Sequence, residues 1–156
     1  MRFTRFIALF LALLCIGATL VFVASCGEFN SAEWYEDNES TRRAATYKSF
    51  SDEKNYEIDV DGKISMNIKV ETISGDAFYA RIYNVKTQNN PVYTLAIHKN
   101  ESGVLVADVN YAGEKKQIPL NSNTLYEETV AIMGEDDEFI INVVGQNHTG
   151  SFKFDW

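Results

Sequence analysis

From Tyr56 onward, apolar and polar residues alternate, segment after segment, with turn residues between. Tyr56, Ile58 and Val60 alternate with Glu57 and Asp59, and Ile64, Met66, Ile68 and Val70 alternate with Ser65, Asn67, Lys69 and Glu71. This period of two predicts half-buried β-strands, and Asp61-Gly62 between the two runs predicts a hairpin. After Ser74-Gly75-Asp76, Phe78, Ala80 and Ile82 face one way and Tyr79, Arg81 and Tyr83 the other. Asn89-Asn90-Pro91 breaks that run. Val92 to Lys99 and Val104 to Tyr111 predict a hairpin around Asn100-Glu101-Ser102-Gly103. Ala112-Gly113-Glu114 predicts a further turn, and Gln117 to Leu120 a short edge piece. Leu125 to Met133 and Phe139 to Val144 flank an acidic turn at Gly134-Glu135-Asp136-Asp137, and Phe152, Phe154 and Trp156 form a last strand. About eight short strands at this spacing predict an all-β fold, an antiparallel β-sandwich of jelly-roll type over residues 52–156.

The preceding residues follow another pattern. Gly27 to Ser51 is polar apart from islands such as Trp34-Tyr35 and predicts a flexible tether, whose second half suits a helical turn or an edge strand. The Trp34-Tyr35 pair suits a lid on the domain, a ligand platform or a membrane-interface contact. Further upstream, Phe6 to Val23 is an apolar run behind Arg2 and Arg5, and small residues close it before Cys26. Cationic head, apolar stretch and small-residue site are the three parts of a secretory signal. Val23-Ala24-Ser25-Cys26 resembles the lipobox of bacterial lipoproteins, an aliphatic residue and two small ones before a cysteine. The resemblance implies that residues 1–25 are a signal peptide with Val23, Ala24 and Ser25 as signal-peptidase recognition residues. It implies that Cys26 receives lipid, including acyl chains such as palmitate, and becomes the first residue of a tether over residues 26–51. The alternative is an uncleaved helix, since Phe6 to Ala24 spans about 19 residues, just enough to cross a bilayer. Either reading places the domain outside the cytoplasm.

Lipidation also accounts for the two cysteines. Cys15 leaves with the signal and Cys26 is acylated, so no thiol remains for a disulfide or a thiolate metal site. A domain of about 130 residues must then be held by its core alone. The chain has 14 basic and 22 acidic residues, net −8. Loss of Arg2 and Arg5 with the signal leaves 12 against 22, net −10. Such a balance excludes a nucleic-acid footprint, which requires clustered Lys and Arg.

Strands, an Asp-Gly turn, a long middle and the closing Gly150-Ser151-Phe152-Lys153-Phe154 run resemble the sandwich of bacterial pre-peptidase C-terminal domains and related carbohydrate-binding modules, over Tyr56 to Trp156. The Gly-Thr-Tyr frequent before that family's penultimate strand is Asp137-Glu138-Phe139 here, a departure that bears on any inherited calcium or sugar site.

Candidate chemistry is sparse. His98 lies in a predicted strand and His148 in the last turn, without metal-ligand spacing. No Gly-x-Ser-x-Gly nucleophile elbow is present. Glu135, Asp136 and Asp137 offer the oxygens that Ca2+ prefers, although the same residues suit a solvated hairpin turn. Tyr79, Arg81 and Tyr83 form a strip that suits sugar stacking or protein contact if their face is open, and an ordinary solvated face otherwise. The expectation is a lipid-anchored extracytoplasmic bacterial protein, non-catalytic, whose sandwich binds a protein, glycan or other envelope component. The alternative is a small envelope enzyme or transporter accessory subunit. A cleft joining a histidine to a carboxylate would favour that alternative.

Overall fold

The computed structural model describes residues 34–120 and 125–156. The lipobox residues Val23, Ala24, Ser25 and Cys26 lie outside them. The described chain is all-β and antiparallel. Its strands are β1 (Trp34–Glu39), β2 (Arg42–Phe50), β3 (Glu53–Ser74), β4 (Ala77–Asn84), β5 (Tyr93–Lys99), β6 (Leu105–Tyr111), β7 (Glu114–Pro119), β8 (Leu125–Gln146) and β9 (His148–Asp155). They form one sheet in the order β1-β2-β9-β3-β8-β4-β5-β6-β7. A single turn of 3-10 helix, Val85–Thr87, interrupts them.

Two predicted turns are not turns. Asp61-Gly62 and Gly134-Glu135-Asp136-Asp137 lie within β3 and β8, each 22 residues long. The two signals meet across the ladder: Val60 pairs with Asp137 and Gly62 with Gly134. Asp61 therefore faces both Glu135 and Asp136, which is a bulge of two residues against one. Gly62 (φ 76°) and Asp136 (φ 55°) take the left-handed backbone there. The extra residue flips the buried face of β8, from Tyr126, Val130 and Ile132 before it to Phe139, Ile141 and Val143 after it.

At this kink the sheet doubles back. One half holds the first part of β3, the last part of β8, and β4 to β7. The other holds β1, β2, β9 and the remaining parts of β3 and β8. Corners made by strands that pass from one layer to the next through a bulge are a known way to close a sandwich. The inner faces meet through aromatic rings: Phe152 of β9 lies 5.9 Å from Phe78 of β4 and 5.9 Å from Tyr56 of β3. Phe78, Phe139, Phe152 and Phe154 are fully buried. Each contributes about 1.5–3 kcal/mol by leaving water.

Part of the segment that the sequence suggests as a tether is sheet instead. Residues 34–50 are β1 and β2, with Ala45, Tyr47 and Phe50 buried. Trp34 acts as the lid, stacked on Tyr47 at 5.2 Å and tilted against Phe50 at 4.8 Å, while Tyr35 is exposed. The polar outer positions of these strands mask a regular inner row of apolar ones. The closing aromatic segment lies in the sheet between β2 and β3, as β9.

Candidate binding face

The outer face of the β4-to-β7 half is built by strand register. Side chains that alternate outward form rows where strands pair directly. One row runs Asn55, Asn142, Arg81, Thr94, Asn110, Lys115 across six strands. The next runs Glu53, Val144, Tyr79, Ala96, Asp108, Gln117. Val144 and Ala96 are small beside Tyr79, and the rows enclose a groove of about 720 Å3.

A buried amide organises one end. Asn142 is 2% exposed although it points outward. Its Nδ2 donates to Asn55 Oδ1 at 2.7 Å and to Glu53 Oε1, and its Oδ1 accepts from Arg81 Nε at 2.8 Å. The Arg81 guanidinium also lies 5.2 Å over the ring of Tyr83. Its plane is thus fixed from two sides.

A second cluster closes the other end. Asp108 Oδ2 meets His98 Nε2 at 2.7 Å, and Oδ1 accepts from Gln117 Nε2 at 2.7 Å. His98 Nδ1 faces the Lys99 carbonyl at 3.1 Å. Both ring nitrogens face acceptors, so the doubly protonated imidazolium fits best. The hydrogen bond to Asp108 and then that to Lys99 raise the His98 pKa above its ordinary value. His98 and Gln117 hold Asp108 below its own. This is the histidine–carboxylate pair that a hydrolase would show, with both ring nitrogens already facing acceptors. His148 is no better placed. It is 1% exposed, its Nδ1 and Nε2 lie 3.0 Å from the hydroxyls of Tyr47 and Thr72, and burial lowers its pKa to about 4.

Of the sequence-derived strip, Tyr79 and Arg81 line the groove. Tyr83 supports Arg81 and is half-buried. The acidic residues sit elsewhere. Glu135 and Asp136 are exposed at the bulge, and Asp137 accepts Lys86 Nζ at 2.7 Å, which lowers its pKa. Among the described residues, no group of three or more His, Cys, Asp or Glu side chains is arranged to hold a metal ion. Sequence reasoning missed Glu53, Asn55, Thr94, Asp108, Asn110, Lys115, Gln117 and Asn142. Thr94, Asp108, Asn110, Gln117 and Asn142 lie in predicted strands, whereas Glu53, Asn55 and Lys115 lie outside them, and the register that gathers all eight was not readable.

No protein-family model matches the chain, and no curated protein matches it. Among solved structures, CG-16, a homodimeric agglutinin from chicken liver, is similar at 11% identity, over 65% of this chain and 100% of that one, with a TM-score of 0.36.

Proposed function

We propose that this chain is a lipid-anchored extracytoplasmic bacterial protein whose outer sheet face binds a saccharide chain without catalysis. The observation that carries the binding reading is the polar row from Asn55 to Lys115 that runs beside Tyr79 across six strands. A sugar ring presents a C–H face that packs on tyrosine, and neighbouring hydroxyls that pair with amides and guanidinium groups. At about 4.8 Å per strand the rows extend roughly 24 Å, room for several rings. Both ring nitrogens of His98 are already engaged, by Asp108 and the Lys99 carbonyl, which supports binding over hydrolysis.

The anchor rests on Val23-Ala24-Ser25-Cys26. Replacing Cys26 by Ala is expected to abolish the acyl mass and release the protein from the membrane fraction. An unchanged mass and an unchanged membrane fraction would refute lipidation. For binding, the full chain in detergent is applied to a glycan array with Tyr79→Ala as control. Saccharide binding lost in that variant supports the reading, and no retained glycan refutes it.

A further inference from the structure

We infer that the saccharide taken by this face is an acidic one, a chain bearing carboxylates that Arg81 and Lys115 read. This rests on the saccharide reading above and names its chemical class.

The whole chain is acidic, net −8, whereas the groove balances two carboxylates against Arg81 and Lys115. Its anions are Glu53 and Asp108, and both are already engaged. Asp108 uses one oxygen for His98 and the other for Gln117, and Glu53 takes the Asn142 amide. Its cations are less committed. Arg81 spends only Nε, on Asn142, and its two terminal nitrogens make no hydrogen bond with the described residues. Lys115 is exposed and makes neither a hydrogen bond nor an ion pair with them. Lys116 instead pairs with Glu128.

Arg81 and Lys115 stand in one row with Thr94 and Asn110 between them. Three strand spacings separate them, about 14 Å. That is a neutral hydrogen-bonding floor with a cation at each end. A sugar chain of alternating hydroxyls and carboxylates complements it, with hydroxyls on Thr94 and Asn110 and carboxylates at the ends. Arg81 suits a planar carboxylate in particular, because a fixed guanidinium with two terminal nitrogens available presents a bidentate fork.

Polygalacturonate and its full methyl ester share their rings and differ in charge, so binding of each to the full chain in detergent separates the two questions. Polygalacturonate is expected to bind at least about tenfold more tightly, and less so as salt rises from about 50 to about 500 mM. Arg81→Gln and Lys115→Gln are each expected to weaken the acid by about fivefold or more and the ester by less, so that the preference for acid over ester narrows. Arg81→Lys is expected to fall between, since it keeps the charge and loses the fork. Equal binding of acid and ester, or variants that discriminate as the parent does, would overturn the acidic class while leaving the saccharide reading intact. Dextran sulfate bound as tightly as polygalacturonate would overturn the carboxylate assignment. Failure of both polymers and of every neutral glycan would remove the saccharide reading and this inference together.

Discussion

Gly62 and Gly134 stand directly opposite each other in the ladder between β3 and β8, at the point where both strands bend. Their demands differ. A Cβ on Gly62 meets nothing within 4 Å, but the backbone is left-handed at φ 76°. A Cβ on Gly134 meets the Val60 carbonyl oxygen at 2.7 Å. Gly62→Ala should therefore cost about 1–2 kcal/mol, the price of a left-handed alanine, and Gly62→Asn less. Gly134→Ala should cost more, because backbone must move. Urea unfolding midpoints of the three variants test the order, and a Gly134→Ala protein as stable as the parent would contradict it.

The interior carries a polar link between the two halves. Tyr93 and Tyr126 share a hydrogen bond at 2.9 Å, and Tyr126 also donates to Glu128, which pairs with Lys116. Burial raises both phenol pKa values well above the usual. Removing one hydroxyl strands the other, so Tyr126→Phe should lose about 1–3 kcal/mol. The double variant Tyr93→Phe/Tyr126→Phe should lose little more than the single one. Additive losses in a double-mutant cycle would show that the hydroxyls act separately.

His148 makes the fold acid-sensitive. Its neutral ring fits between Tyr47 and Thr72, and burial lowers its folded pKa from 6.5 to about 4. The unfolded chain takes up the proton first as pH falls. Stability is thus fully present above about pH 6.5, declines below it and levels off below about pH 4, a loss of about 3 kcal/mol. NMR titration of the ring tests this directly, and a midpoint at the ordinary value would remove the mechanism.

His98 has the opposite sign. Its pKa is raised by Asp108 and the Lys99 carbonyl, so its contribution is fully present below about pH 6.5 and fades as pH rises through the folded value. Asp108→Asn should return the titration midpoint toward the ordinary value. A midpoint in the parent protein at or below that of an unfolded histidine would show that the pair does not form in solution.

The strands were legible because one face of each is buried: the alternation over Tyr56–Val60, Met66–Val70 and Phe78–Ile82 matches buried positions in the sheet. The long bent strands were not. A hairpin turn and a bulge both combine Gly or Asp with a break in the apolar phase, and only pairing partners tell them apart. The phase flip between Ile132 and Phe139 was present in the sequence, but it suited either reading. β1 and β2 were hidden for a related reason, because charged outer residues such as Glu36, Asp37 and Arg43 dominate their composition. The binding face was half legible. Tyr79 and Arg81 share a strand, whereas Asn142 and Lys115 reach them only through ladders set by distant residues.

β9 lies between β2 and β3. Among the described strands, the last in sequence thus fills a slot between two of the first three. Until residues 148–155 arrive, β2 and β3 expose unsatisfied backbone and the pocket that Phe152 fills, so closure waits for the C-terminal strand. A chain made from its N-terminus therefore completes this part of the sheet only after residues 148–155 have emerged.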